Sequence, residues 1–198
     1  MSAEFGLGTL GRRLAIALVA ACLAASTASA AGRPAPSTYG EYEVKAAFIY
    51  NFAKFVDWPA ESLGRPGEAM NVCVLGEDPF GGILDRTLKD KTVHGRALRI
   101  ERLRGVSDLQ SCQIIFISAS ESRRLPHILE ILWGSPILTI GETPDFGSAG
   151  GIINFVIEDS RVRFEINAGA AARSGLGISS QLLSLARVVT DGRQTKRR

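Results

Sequence analysis

The sequence predicts an α/β fold: a three-layer sandwich in which a parallel-core mixed sheet, with an antiparallel hairpin near its C-terminal end, carries helices on both faces. Three observations predict it. Short apolar runs at residues 71–76, 97–103, 112–118 and 136–141 alternate with helical patterns, as repeated βα units with right-handed crossovers do. Two later strand-like runs, 150–158 and 161–167, are separated only by Asp159-Ser160, which leaves room for a hairpin and nothing longer. Cys73 and Cys112 lie in the first and third of these runs, which are neighbours in the common doubly wound order 2-1-3-4. Adjacent strands can bring two Cα atoms to the roughly 4.4–6.8 Å that a disulfide needs.

The elements follow in order. Arg12-Arg13, an uncharged apolar run over 14–25 and Ala28-Ser29-Ala30 read as a secretory signal peptide over residues 1–30, cut before Ala31. A competing reading takes Val19-Ala20-Ala21-Cys22 as a lipoprotein box, which would leave Cys22 acylated. Residues 31–40 carry Pro, Gly and Ser without apolar periodicity and predict a disordered lead-in to one domain over 41–190. Val44, Phe48, Phe52 and Phe55 recur at helical spacing with Lys45 and Lys54 off the stripe, and Pro59 predicts a helix end near Asp57. Residues 61–69 read as a loop.

Asp78-Pro79 reads as an N-cap and first helical residue, opening a helix towards Leu88. Residues 93–96 form a turn, and Ser120-Glu121 begins a helix that carries Leu125, Ile128, Leu129 and Leu132 and stops at Gly134. In the strand 161–167, Val162, Phe164 and Ile166 face the core, while Arg161, Arg163, Glu165 and Asn167 face solvent or a partner. Ile178, Leu182, Leu185 and Val189 predict a last helix after a break at Gly175 and Gly177, and residues 191–198 read as a basic frayed tail.

Export bounds the chemistry. Once Cys22 leaves with the leader, an even pair of cysteines remains in an oxidising compartment, and their bridge would stabilise by roughly 4 kcal/mol. Two buried thiols are the alternative. A formal charge of +3, part of it in the tail, makes nucleic acid an improbable partner for an exported protein. The loop 76–82 has neither a Walker sequence nor Gly-x-Gly-x-x-Gly, and its two carboxylates would repel phosphate. The two histidines, His94 in a turn and His127 on a helix, form no His-x-x-x-His pair. Ser118, Ser120 and Ser122 read as caps, and Glu142 and Asp145 as loop carboxylates. No catalytic residue, metal site or cofactor is expected. Interaction surfaces are better supported: Tyr50 and Trp58, partly off the helical stripe, as exposed aromatics, and Arg163, Glu165 and Asn167 as a polar row beside a sheet edge.

KAAFIYNFAKFVDWP, CVLG, GRALRIERL, FISASE, PILTIGE, GGIINFVIEDSRVRFEIN and GLGISSQLLSLARVV together resemble the YfiR family of exported repressors, from about Tyr42 to Val189. The resemblance implies a periplasmic protein that binds the periplasmic domain of an inner-membrane diguanylate cyclase and holds it inactive. It also implies an outer-membrane, peptidoglycan-associated lipoprotein that draws the repressor away, so that biofilm output follows cyclic di-GMP. Cys73 and Cys112 fall where the family places its structural disulfide, but no cysteine follows Cys112, so redox control through a later pair has no footing here. Glu165 lies in a stretch resembling a partner-contact region of the family. A homodimer stays open, and a periplasmic small-ligand binding module is the alternative function.

Overall fold

The computed structural model describes residues 38–190 and Gly192. The leader, Cys22 and the tail beyond Gly192 lie outside the described residues. Helix α1 spans Thr38–Phe55 and leads through β1 (Val56–Asp57) and a 3-10 turn (Ala60–Leu63) into β2 (Met70–Leu75). Next come α2 (Gly82–Leu88), β3 (Thr92–Val93), β4 (Arg96–Leu103), a turn at Leu109–Ser111, β5 (Ile114–Ile117), α3 (Leu125–Ile131) and β6 (Leu138–Gly141). The C-terminal part is β7 (Ile153–Glu158), β8 (Arg161–Asn167), α4 (Ala168–Arg173), β9 (Gly177–Ile178), α5 (Ser180–Leu185) and β10 (Arg187–Val189).

The main sheet has eight strands in the order β10-β8-β7-β6-β5-β2-β4-β3. Its centre, β4-β2-β5-β6, is parallel and realises the order 2-1-3-4. β7 pairs parallel with β6 and antiparallel with β8, so the mixed sheet and its hairpin are as the sequence predicts. Asp159 and Ser160 both take positive φ, 49° and 60°, the backbone hand a two-residue hairpin requires. One face of the sheet packs Val72, Val74, Ile114, Phe116 and Phe155 against α1 and α2. The other packs Cys73, Leu75, Ile115 and Ile117 against α3. Helices therefore cover both faces of the three-layer arrangement. Cys73 and Cys112 are bonded, with Cα atoms 6.1 Å apart.

Several boundaries move. The lead-in ends earlier than expected: α1 already begins at Thr38, because Tyr42 anchors its first turns, its ring edge-on to Phe80 with centroids 5.2 Å apart. The helix stops at Phe55, since Val56 and Asp57 pair with Ile178 and Gly177 as a small separate sheet. Its buried face is Ala46, Ile49, Phe52 and Ala53, whereas Val44 is 44% exposed. Asp78 does not cap a helix. Its Oδ1 accepts from Phe80 N at 2.8 Å in an Asx turn, its Oδ2 accepts from Arg102, and α2 starts only at Gly82. The last helix is α5 alone; Val189 lies in β10, because residues 187–189 find β8 open for parallel pairing.

Candidate functional site

Strand β8 carries the polar row expected to meet a partner, but it is not a bare edge. Arg187 opposes Glu165, Val188 opposes Ile166 and Val189 opposes Asn167, so β10 covers the C-terminal half of β8. Arg163 is exposed. Glu165 is held by Arg187, whose Nε donates to Oε1 at 2.9 Å, with a second contact from Nη2. Arg187 also donates from Nη1 to Glu158 Oε1 at 2.8 Å. The Glu165 carboxylate, by hydrogen bond and then by charge, raises the Arg187 guanidinium above its ordinary value. Leu185 and Val188, at the end of α5 and in β10, are exposed, as is Ile157 on β7.

Asn167 leaves this row. Strict alternation would place it beside Arg163 and Glu165, yet it is 1% exposed. It sits where strand gives way to helix: its Oδ1 accepts from Ala170 N at 2.9 Å, and its Nδ2 donates to Gly147 O at 2.8 Å. Trp58 is not an exposed aromatic either. It is 8% exposed, edge-on to His94 with ring centroids 6.4 Å apart, because the β1–β9 pairing draws this segment inward. Tyr50 is half-buried, with the ammonium groups of Lys54 and Lys91 at 5.5 and 5.7 Å from its ring centroid. Lys91 lies beside β3, one edge of the sheet, whereas Arg163 and Glu165 lie on the strand next to the other edge. Tyr50 and the hairpin residues therefore belong to different surfaces.

A cluster missed by sequence reasoning lies at the C-terminal end of β6. Lys45, expected off the buried stripe, is only 3% exposed. Its Nζ lies 2.7 Å from Glu142 Oε2, pairs with Glu41 one helical turn back, and stands 4.5 Å from the Tyr42 ring centroid. Tyr42 Oη donates to both Glu142 oxygens at 3.2 Å. Burial, followed by the charge and hydrogen bond of Glu142, pushes the Tyr42 phenol well above its ordinary value. Glu142 is thus the counter-ion of Lys45, and Asp145, exposed at φ 60°, is not its partner. The available signal was the Glu41-Lys45 spacing together with a carboxylate just past a buried strand.

The other candidates keep structural roles. His94 occupies the β3–β4 turn at φ 51°, with Nε2 3.2 Å from Val56 O, and His127 is exposed. Ser118 Oγ accepts from Ser120 N at 3.4 Å, as a cap does. Among the described residues, no group of three or more His, Cys, Asp or Glu side chains is placed to hold a metal ion. Among the same residues, no helix is long and apolar enough to cross a membrane.

The sequence pattern of the YfiR/HmsC-like family matches residues 42–187. The chain belongs to the YfiR/HmsC-like family. The match begins within α1 and runs through the sheet to Arg187, so it holds the β8 row with Arg187 and all of the Lys45 cluster except Glu41. Membership fits a periplasmic regulatory domain of a kind not known as an enzyme. Among solved structures, the fold is similar to the ABC domain in complex with L-Trp from Streptococcus pneumonia, with TM-score 0.50 and 11% identity over 73% of this chain. A conserved domain protein from Vibrio cholerae O1 biovar El Tor aligns with TM-score 0.49 and 12% identity over 74% of this chain. The YfiR/HmsC-like chain spans about three-fifths of each of those chains, 60% and 59% respectively.

Proposed function

We propose that this chain is a periplasmic repressor. It binds the periplasmic sensor domain of an inner-membrane diguanylate cyclase, holds the cyclase inactive and lowers cyclic di-GMP and biofilm output. An outer-membrane, peptidoglycan-associated lipoprotein relieves it by competing for the repressor. The observation that carries this reading is the family match over residues 42–187. The disulfide supports an oxidising compartment.

On this reading the docking surface centres on Arg163 and Glu165, with Arg187 presenting the Glu165 carboxylate in a defined orientation. The neighbouring exposed Val188 supplies apolar area next to the charges, as interface cores require. Asn167 and Trp58 serve from within, one tying β8 to α4 and the other packing beside β3. Tyr50 would serve a separate contact. No bond chemistry is needed: the repressor shifts the cyclase only as far as its affinities for the inactive and active conformations differ.

The test is cyclase inhibition in cells carrying the cyclase and the full exported chain. Glu165→Arg and Arg163→Glu are expected to relieve inhibition while thermal unfolding stays cooperative. A repressor that remains fully active with both changes refutes the assignment.

A further inference from the structure

The β7–β8 hairpin runs out past both of its neighbours. β6 ends at Gly141, opposite Asn154, and β10 begins at Arg187, opposite Glu165. Residues 161–164 of β8 therefore have β7 on one side and, among the described residues, no strand on the other. Asn167 N donates to Ile152 O at 2.8 Å, on the β7 side. Alternation from there points the N–H and C=O of Arg161, Arg163 and Glu165 at β7, and those of Val162 and Phe164 away from it. A strand edge left in this way is a template for another extended backbone.

Side chains decide which backbone fits. Val162 lines a groove of about 500 Å3 together with Val44, Phe48 and Ile157. Val44 and Ile157 are 44% and 50% exposed, and the carboxylate that lines this groove, Glu41, is paired with Lys45. Arg161, at the rim of the groove, and Arg163 flank Val162 on the strand. Both are exposed, and neither forms an ion pair among the described residues. Of the hairpin's own carboxylates, Glu158 and Glu165 are held by Arg187, and Asp159 lies in the turn, off the edge. The edge itself is therefore positive.

We propose that this edge takes an extended polypeptide segment of a partner, with acidic, apolar and acidic residues in succession. In antiparallel pairing its central residue exchanges backbone hydrogen bonds with Val162 and turns its side chain towards the groove, while the flanking carboxylates meet Arg161 and Arg163. A second copy of this chain does not fit, because every antiparallel register confined to the bare edge sets arginine against arginine. The inference rests on the repressor reading only for the owner of the segment, which that reading places in the cyclase's periplasmic domain.

The test is titration of the isotope-labelled, disulfide-bonded chain with the peptide acetyl-Ser-Thr-Glu-Ile-Glu-Thr-Ser-amide, followed by backbone amide chemical shifts. Saturable shifts of the Val162 and Phe164 amides are expected, with Kd near or below about 1 mM. Replacing both peptide glutamates by lysine, or N-methylating the peptide isoleucine, weakens binding at least about tenfold. Arg163→Glu weakens it several-fold. Val162→Pro removes an edge N–H that β7 does not use, so unfolding stays cooperative while the shift at Phe164 is lost. No saturable shift at these amides, equal binding of the acidic and basic peptides, binding unmoved by N-methylation, or shifts that grow with protein concentration alone overturns the proposal. A chain that binds the peptide yet does not inhibit the cyclase keeps the edge and loses the repressor reading; one that inhibits without binding the peptide does the reverse.

Discussion

On one face of the sheet, Ile115, Ile117, Ile128 and Leu129 close over the Cys73–Cys112 bridge with apolar side chains. On the other face, α1 contributes the mutually stacked rings of Phe48 and Phe52, tilted against Phe155 and edge-on to Phe164, but at its N-terminal end it also buries Lys45 beside Glu41 and Glu142. The bridge constrains the unfolded chain and adds stability directly. The ion cluster offsets its own desolvation and adds little net stability, yet losing one member strands the others. The two faces therefore differ in what they tolerate: the first loses stability in proportion to what is removed, while the second reacts to imbalance.

Breaking the first face should have the largest effect. Cys73→Ser is expected to destabilise by about 4 kcal/mol, the loop-closure value for the 39-residue separation, with lower steady-state protein. Denaturant unfolding under oxidising conditions measures it, and an unchanged midpoint would mean the bridge does not constrain the unfolded chain. Lys45→Met sharpens the comparison. Removing the cation leaves Glu142 buried without a counter-charge and should cost about 3 kcal/mol, whereas Lys45→Met with Glu142→Gln should recover much of that loss. Additive losses in the double variant would contradict a coupled cluster.

Tyr42 carries the same cluster into alkaline pH. Its phenol is held protonated in the fold above its ordinary value, so its contribution is fully present below about pH 10 and fades as pH rises further. Tyr42→Phe should flatten the alkaline limb of the stability profile; an unchanged slope would free Tyr42 of that role. The smallest effect is expected from an exposed ion cluster. The Arg102 hydrogen bond, opposed by burial and aided by charge, lowers the Asp85 carboxyl, whose side chain is 49% exposed. A depressed carboxylate stabilises above its ordinary range and loses that contribution as pH falls below about 4. Asp85→Asn should therefore cost under about 1 kcal/mol at neutral pH and nothing measurable in acid, because half-exposed charges are screened.

Much of the fold was legible because its signals are local. Val72, Val74, Ile114 and Phe116 sit in short apolar runs that only a strand covered on both faces explains, and Asp159-Ser160 leaves no option but a hairpin. The candidate site was legible only in part. Arg163 stays exposed and Glu165 partly so, but Asn167 breaks the strand period as a buried helix cap, and Trp58 follows no period at all. Lys45 looked solvated because charge on a helix usually is; its burial depends on Glu142, 97 residues away.

By itself the sequence pointed to the parallel-core order 2-1-3-4, the hairpin and a bridge between the two cysteines, with two buried thiols as the alternative, since these rest on spacing within a segment or between repeated ones. The tertiary structure alone decided which charges are buried, and that β10 covers half of β8 and leaves the rest of its edge bare. Those outcomes depend on contacts between residues far apart in the chain, where no periodicity can specify which polar groups meet and which are left unpaired.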